Sequence, residues 1–499
     1  MPEGPPAEPG FLLESAAVPE LPGSPPLRGR WNFQGGRPAT LLTGKHRGGT
    51  FALTLTTWRE PDGTICDPPR RRTWNADPFI ALHELQQAYT APPPDGDGLP
   101  PFCGGLVGYF GYEVAHAVED LPGHVHDQLG VPDLAFMVID DLVAHDRETG
   151  RTWLIATGRG ATAEVARRDA QQRLDALEGE LLSVSGRLEG SGARRAEKPG
   201  SRAGRSHGGR RSASPGGQEL SLQGVQTQFN RDQYCATVER CRQAILAGRV
   251  FEICLTQQMT LAFDDDPWDL YRVLRDINPA PFAAFLALPD FTVVSASPER
   301  FLSLGSDRTA ESRPIKGTAP RGKTQEQDRE LRDRLVASAK DRAENVMIVD
   351  LVRNDLGRVC ETGSVEVPEL CVVESYPTVH QLVSTIRGRL TPPHDALDLV
   401  RACFPGGSMT GAPKVEAMKL IGEMERSTRG VYSGALGYLD RRGGMDLSIV
   451  IRTIVCREGR AWLGTGGAVT ADSDPREEYA ETLAKARALL EAIRSLSHH

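Results

Sequence analysis

The feature that most limits how this chain can fold is a long stretch near its middle with almost no apolar residues. From about Ser183 to Gln226 the residues are mainly Gly, Ser, Arg and Ala, as in the run GSRAGRSHGGRRSASPGG. Such a stretch buries too little surface to offset the entropy that it would lose on ordering. We therefore predict a flexible linker over residues 183–226, between an N-terminal region, 1–182, and a second region, 227–499.

Both regions alternate strand-like and helix-like patterns. Thr50 to Thr57 alternates apolar with hydroxyl residues, which predicts a half-buried strand. In the second region the patterns predict one helix over Glu326 to Val352, one strand over Asp446 to Cys456, and a final helix over Pro475 to Leu496. Blocks of several adjacent strands mixed with helices predict an α+β protein built from layered sheets.

The composition excludes several classes of function. Hydrophobic residues make up 39% of the chain and charged residues 25%, which is typical of a globular protein with a core. A net charge of −8 argues against nucleic acid or an anionic membrane as partner, because both need a concentrated positive field. No apolar run approaches a membrane span. The nine scattered cysteines contain no C-x-x-C pair, so we expect reduced thiols and a cytoplasmic location.

The final helix carries the first candidate site. Glu478, Glu481 and Lys485 are spaced by three and four residues, so they share one helical face. Two carboxylates that face the same way can hold a hard cation such as Mg²⁺. The alternative is an ordinary solvent-exposed ladder of charges.

A second candidate lies within the predicted helix that contains Asp341 to Asp355. Its middle, Val346 to Val352, is apolar except for Asp350, so this helix is expected to be buried. Glu344 and its charged neighbours therefore either form a structural ion-pair network or line a cavity.

Three further signals are weak when taken singly. The turn 464–468 is made of small residues, which let backbone amides approach a ligand carboxylate or simply form a tight turn. Arg452 follows an apolar strand segment and needs an anion. Lys316 lies between Pro314 and Gly317; it is either an ordinary surface lysine or, with a neutral amine, a nucleophile.

Taken in order, these segments resemble the chorismate-utilising enzymes. The resemblance implies their fold, a large two-layer antiparallel β-sheet sandwich flanked by helices. It makes 227–499 the chorismate-binding catalytic region and 1–182 an N-terminal region similar to that of anthranilate synthase. The matching stretches are Ser297 to Phe301, Pro314 to Thr318, Asp341 to Arg358, Val373 to Thr385, Phe404 to Lys414, Tyr432 to Tyr438, Ile449 to Arg452 and Gly466 to Lys485.

The resemblance also implies a role for each matching residue. The expected Mg²⁺ ligands are Glu344, Glu478 and Glu481. The residues expected to hold or line the substrate are Gly317, Thr318, Tyr432, Arg452, Gly466, Gly467 and Lys485, with His380 near the reacting ring. The sequence departs from the family pattern at Ala468, where relatives often have glycine.

Position 316 separates the subfamilies. Anthranilate and salicylate synthases resemble this stretch but carry alanine there, whereas lysine is the pattern of the aminodeoxychorismate synthases. If the Lys316 amine adds to C2 of chorismate, ammonia must enter at C4. The resemblance makes Glu299 the acid that protonates the departing C4 hydroxyl.

The resemblance implies an activity and a partner. The expected product is 4-amino-4-deoxychorismate, for 4-aminobenzoate and folate synthesis. No cysteine lies in a G-x-C-x-G elbow, so either a separate glutamine amidotransferase subunit supplies the ammonia, which is the expected arrangement, or free ammonia is used.

Two alternatives remain open. One is anthranilate synthase component I, because Leu13, Glu14 and Ser15 resemble the tryptophan-inhibitor motif of that enzyme. The same residues, with Pro281 and Phe282, could instead form a structural or regulatory tryptophan pocket, and Pro281 to Phe285 resemble the aminodeoxychorismate type more than the anthranilate type. The other alternative is a non-catalytic chorismate-binding protein.

Overall fold

The computed structural model describes residues 9–15, 30–91, 98–122, 126–190, 220–377 and 379–496, with the backbone alone for 183–190. Its helices are α1 Pro78–Ala88, α2 Ala163–Gly190, α3 Arg231–Leu246, α4 Pro267–Ile277, α5 Gln325–Ala337, α6 Ala339–Gly357, α7 Ala396–Cys403, α8 Lys414–Met424 and α9 Pro475–Leu496. Two short 3-10 helices span Tyr112–Ala117 and Gly407–Met409.

The strands of the first half of the chain are β1 Gly10–Glu14, β2 Trp31–Gly36, β3 Thr40–Arg47, β4 Thr50–Arg59, β5 Ile65–Ala76, β6 Gly105–Phe110, β7 Leu134–Ile139, β8 Asp141–Asp146, β9 Thr152–Ala156, β10 Gln226–Thr227 and β11 Glu252–Ala262. Those of the second half are β12 Phe282–Leu288, β13 Phe291–Ser297, β14 Arg300–Leu304, β15 Thr309–Arg313, β16 Ile315–Pro320, β17 Glu366–Ser375, β18 Val379–Arg389, β19 Gly411–Ala412, β20 Ala435–Asp440, β21 Met445–Ile449, β22 Thr453–Arg457 and β23 Arg460–Val469.

The described strands form two antiparallel sheets. The first sheet has 11 strands in the order β10-β11-β23-β22-β13-β12-β1-β2-β8-β9, with β19 paired to β11. The second sheet has 12 strands in the order β16-β18-β15-β14-β21-β20-β6-β7-β3-β4-β5, with β17 paired to β18.

Apolar side chains from both sheets form one core between them. Phe11 and Val293 of the first sheet are buried in the same cluster as Val107 and Met137 of the second. Strand β6 is buried on both faces, because its side chains alternate between this cluster and the one on the outer side of the second sheet. The predicted two-layer antiparallel sandwich is confirmed.

Helices cover the outer faces of the sandwich. Helices α4 and α9 pack on the first sheet, through a cluster that includes Trp268 and Leu489. Helices α1, α6 and α7 contribute to a cluster that includes Leu82 and Ile348 beside strands of the second sheet, and α8, whose Leu420 belongs to the same cluster, contacts β11 and β19 of the first sheet. No helix in the described ranges is long and apolar enough to cross a membrane.

The two regions on either side of the predicted linker contribute strands to the same sheets. In the first sheet β1, from region 1–182, pairs with β12, from region 227–499. In the second sheet β6 pairs with β20. Helix α2 continues to Gly190, past the predicted boundary at 182. Residues 191–219 of the predicted linker lie outside the described residues.

Two predicted elements are each divided in the structure. The single helix expected over Glu326 to Val352 is α5 and α6, because Ser338 adopts an extended conformation and caps the second helix by accepting from the Asp341 N–H at 3.2 Å. The strand expected over Asp446 to Cys456 is β21 and β22, which belong to different sheets. The chain crosses between the sheets at Arg452, whose φ is +53°.

Candidate active site

A cavity of about 430 Å³ brings most of the predicted site residues together. Elements of both sheets and helices α6 and α9 form its wall. The predicted residues that line it are Glu299, Lys316, Gly317, Thr318, Glu344, Tyr432, Arg452, Gly466, Gly467, Glu481 and Lys485. Cavity-lining residues that the sequence did not single out include Cys254, Lys340, Asp341, Gln381 and Ser408.

A bulge in β16 sets the direction of Lys316. The pairing of β16 with β18 shifts register between Ile315 and Thr318, and Gly317, within the bulge, has φ +83°. A Cβ at Gly317 would lie 2.9 Å from the Asp341 Cβ, so glycine is required both by conformation and by space. Bulges of this kind re-aim side chains next to functional sites.

Lys316 is a buried ammonium paired with a carboxylate. Its side chain lies in the cavity wall with the residue 8% exposed, and its Nζ donates to Oε1 of Glu252, which is fully buried. Burial acts to lower the pKa of Lys316, but Glu252 and Glu344 outweigh it and raise the pKa above its ordinary value. The alternative of an ordinary surface lysine is therefore excluded.

Glu252 was not among the site residues predicted from the sequence. A signal was available, because Glu252 begins an apolar strand segment, EICL, in the same way that Arg452 follows one. A charged side chain in such a segment needs a partner of opposite charge.

Glu299 lies in the same cavity with a partly protonated carboxyl group. Burial raises its pKa to about 7, against the opposing effects of the Ser408 hydroxyl and the Lys316 ammonium. Ser408 Oγ donates to Glu299 Oε1 at 2.8 Å and fixes its orientation. A carboxyl group that is protonated near neutral pH can act as a general acid.

Two carboxylates, Glu344 and Glu481, line one end of the cavity, and a third, Glu478, lies near them without lining it. Burial raises the pKa of Glu344 to about 7, and burial also raises the pKa of Glu478. The pKa of Glu481 is lowered, because the Lys485 ammonium, 2.7 Å away, outweighs the effect of burial. The raised pKa values of Glu344 and Glu478 indicate that no nearby cation fully balances their charges.

This end of the cavity already attracts a cation. The Lys340 Nζ lies 3.9 Å from Glu344 Oε1 and 3.8 Å from Glu478 Oε1. Glu478 Oε2 is buried and has no hydrogen-bond partner among the described residues. As placed, no three His, Cys, Asp or Glu side chains in the described ranges are close enough to hold a metal ion together. The carboxylate oxygens and the unpartnered Oε2 of Glu478 are the kind of ligand that a hard divalent cation prefers.

Small residues of β23 form the opposite side of this end of the cavity. A Cβ at Gly467 would lie 3.0 Å from Glu478 Oε2 and 3.6 Å from Glu481 Oε1. A Cβ at Gly464 would collide with the Tyr432 ring, which lies directly on this strand. Glycine at 464 therefore leaves room for the Tyr432 ring, and glycine at 467 leaves room for the Glu478 and Glu481 carboxylates.

Arg452 enters the cavity from the crossover between the sheets. Its Nη1 donates to the Lys485 backbone carbonyl at 3.0 Å, and burial lowers the pKa of its guanidinium. Lys485 Nζ in turn donates to the Gly466 carbonyl at 2.9 Å. The two cations are fixed through backbone oxygens, and both line the cavity, where a ligand carboxylate could reach them.

The structure does not place His380 at the cavity. Its ring is 1% exposed, with Nδ1 2.8 Å from Ser375 Oγ and Nε2 3.1 Å from Asp328 Oδ1. Gln381, the next residue on β18, lines the cavity instead. Successive side chains of a strand point to opposite faces, so these two neighbours on β18 do not share the same side of the strand.

A second, larger cavity of about 610 Å³ contains the residues predicted for a tryptophan pocket. Leu13, Glu14, Ser15, Pro281 and Phe282 all line it. Glu14 accepts from the Tyr271 hydroxyl at 2.7 Å, and the Ser15 N–H donates to Asn32 Oδ1 at 3.0 Å. The residues of this motif are therefore already engaged with the protein's own side chains.

The chain is similar to known proteins along most of its length. The sequence profile of the family described as chorismate binding enzyme matches residues 47–491. An aminodeoxychorismate synthase of Streptomyces pristinaespiralis is 46% identical over 421 residues, which cover 84% of this chain and 54% of that protein. This chain thus spans about half the length of that relative.

Two further relatives are of the anthranilate type. Anthranilate synthase component 1 of Streptomyces coelicolor is 39% identical over 493 residues, which cover 98% of this chain and 84% of that protein. The crystal structure of anthranilate synthase component I from Streptococcus pneumoniae superposes with a TM-score of 0.71 at 28% identity, covering 95% of this chain and 93% of that one.

Proposed function

Because this chain belongs to the chorismate-binding enzyme family, we propose that it is a chorismate-aminating enzyme that forms 4-amino-4-deoxychorismate from chorismate and ammonia. The observation that carries this proposal is the position of Lys316. Its amine lies in the wall of the same cavity as Glu299 and the acidic cluster. A nucleophile at this position blocks C2 of the ring and directs ammonia to C4.

We assign a separate role in the reaction to each of the main cavity residues. The Lys316 amine adds to C2, and Glu299 protonates the hydroxyl that leaves from C4. Arg452 and Lys485 supply positive charge for the substrate carboxylates, and the Gly466-Gly467 backbone allows a carboxylate to approach closely. Gly317, Thr318, Tyr432 and Gln381 complete the wall, and His380, the residue before Gln381 on β18, stays the residue expected near the reacting ring.

We further propose that Glu344, Glu478 and Glu481 hold Mg²⁺. When bound, Mg²⁺ withdraws electrons toward the ring carboxylate and so favours nucleophilic addition at C2. The unpartnered Oε2 of Glu478 and the position of Lys340 support this proposal.

Replacing Glu478 by glutamine is expected to raise the Mg²⁺ concentration needed for half-maximal activity by about 10- to 100-fold. The amide removes one charged oxygen from the acidic cluster but keeps the size of the side chain. The measurement is a Mg²⁺ titration of the initial rate, with Glu477→Gln on the exposed side of α9 as the matched control. An unchanged Mg²⁺ dependence in Glu478→Gln would remove this residue from the metal site.

Product analysis tests the activity itself. With chorismate, Mg²⁺ and an ammonium salt, mass spectrometry is expected to detect 4-amino-4-deoxychorismate and little anthranilate. Glutamine in place of ammonium is expected to give no product until a glutamine amidotransferase subunit is added, since we propose that this separate partner supplies the ammonia. Direct release of anthranilate and pyruvate would contradict the proposed function.

The alternative is anthranilate synthase, and two observations favour it. One is the 39% identity to anthranilate synthase component 1 over almost the whole chain. The other is the second cavity, for which we propose tryptophan as the occupant, a proposal that calorimetric titration with tryptophan tests. Lysine at 316 weighs against this alternative. A non-catalytic chorismate-binding protein is disfavoured, because Glu299 and the acidic cluster are intact.

The cellular setting is part of the same proposal. All nine cysteines are free, which fits a reducing, cytoplasmic compartment. The product would there supply 4-aminobenzoate and folate synthesis. Chorismate and the amidotransferase are the proposed partners, and the net charge of −8 gives no support for nucleic acid or membrane as a partner.

A further inference from the structure

The contact between Lys316 and Glu252 joins the two sheets of the sandwich. Lys316 is on β16 of the second sheet, and Glu252, 64 residues earlier, begins β11 of the first. Pairing of Glu252 with Ala412 of β19 fixes its backbone. The carboxylate is fully buried, and its Oε2 has no hydrogen-bond partner in the described part of the chain.

The charged state of Lys316 opposes its role as a nucleophile. An ammonium nitrogen has no free electron pair, so Lys316 must lose a proton before it can add to a ring carbon. Acidic groups on several elements stabilise the charge instead. Five titratable groups among the described residues interact electrostatically with Lys316. They are Glu252 and Cys254 of β11, Glu299 before β14, Glu344 of α6 and Glu481 of α9.

The group that accepts this proton must contact the Lys316 Nζ and must not have another role in the reaction. Glu299 is needed in its protonated form, and Glu344 and Glu481 belong to the proposed metal site. Glu252 touches Nζ, and one of its oxygens is unpartnered among the described residues. A proton transferred along this hydrogen bond converts two buried charges into two neutral groups, which burial favours.

On this basis, and resting on the proposed function, we propose that Glu252 is the base that takes a proton from the Lys316 ammonium before the attack on chorismate. The neutral amine then forms the N–C2 bond, the two ring double bonds shift, and the C4–O bond breaks. The hydroxide takes a proton from Glu299 and leaves as water. When ammonia adds at C4, the C2–N bond breaks, Lys316 leaves as a neutral amine, and Glu252 returns the proton to it. The new ammonium at C4 gives up one proton, which restores the acid form of Glu299.

The test is the pH dependence of adduct formation in Glu252→Gln. Without ammonia, the covalent Lys316–ring adduct is followed by rapid quench and intact-protein mass spectrometry at saturating chorismate. We expect the variant to form adduct about 100-fold more slowly than wild type near neutral pH. We expect the ratio of variant to wild-type rates to rise with pH, because hydroxide then removes the proton. Glu252→Asp, which keeps a carboxylate, should restore much of the rate.

A role for Glu252 other than as a base predicts a different result. The rate ratio would then be the same at every pH, or would fall with pH because loss of the Glu252 charge lowers the pKa of Lys316. Either outcome, or equal rates, would overturn the proposal. Glu374→Gln is the matched control, because Glu374 is also buried in an ion pair, with Arg313, away from this cavity. Product analysis of the wild type separates the two hypotheses: anthranilate as product contradicts the proposed function, whereas 4-amino-4-deoxychorismate with a constant rate ratio contradicts only the role of Glu252.

Discussion

Replacing Lys316 by alanine is expected to reduce the formation of 4-amino-4-deoxychorismate on the order of 10³-fold, because the chain loses the group that blocks C2. Any remaining amination should appear at C2, as anthranilate, since ammonia can then reach that carbon. The measurement is quantitative mass spectrometry of products formed with chorismate, Mg²⁺ and ammonium. Lys323→Ala, at an exposed lysine outside the cavity, is the matched control and should behave as wild type.

For Lys316→Ala, a decrease in folding stability must be distinguished from a decrease in catalytic activity. Removing Lys316 leaves Glu252 buried without its partner, which costs about 3–5 kcal/mol when the remaining group stays charged. The double variant Lys316→Ala/Glu252→Gln removes both charges and should recover most of the melting temperature. A folded double variant that still forms 4-amino-4-deoxychorismate at the wild-type rate would exclude Lys316 as the nucleophile.

Replacing Glu299 by glutamine is expected to reduce kcat by about 10²- to 10⁴-fold, because an amide cannot protonate the departing hydroxyl. The pH profile gives a second readout. The pKa of Glu299 is raised to about 7, so the acid form is present below that pH and is lost as the pH rises through it. Wild-type kcat/KM should therefore fall on the alkaline side of about pH 7, and the residual activity of the variant should lack this limb.

Ser408→Ala serves as the control for this assignment. The Ser408 hydroxyl donates to Glu299 and lowers its pKa. Removing the hydroxyl should raise the pKa, so the alkaline limb should move to higher pH while most of the activity is kept. An alkaline limb that stays in place in Ser408→Ala and persists in Glu299→Gln would assign the limb to another group.

Whether a site residue could be predicted from the sequence depended on how far along the chain its partners lie. Glu478, Glu481 and Lys485 could be grouped from the sequence because helical spacing alone puts them on one face. Glu252 could not be paired with Lys316, because the two are 64 residues apart and meet only where the sheets face each other. His380 was predicted near the reacting ring, and only the structure shows that its neighbour Gln381 is the one of the two that lines the cavity, since adjacent residues of a strand face opposite sides.

What the sequence by itself determined is local: the element types, the apolar faces, the α+β class and the lysine at 316. Hydrophobic periodicity and cap residues specify the elements, their apolar faces and the class, and the residue at 316 is read directly from the sequence. Only the tertiary structure decided that the predicted strand over Asp446 to Cys456 divides between the sheets and turns Arg452 into the cavity. It also decided that Lys316 is buried against Glu252 and that its pKa is raised, because burial and the charge of Glu252 act on it only once the two sheets are packed together.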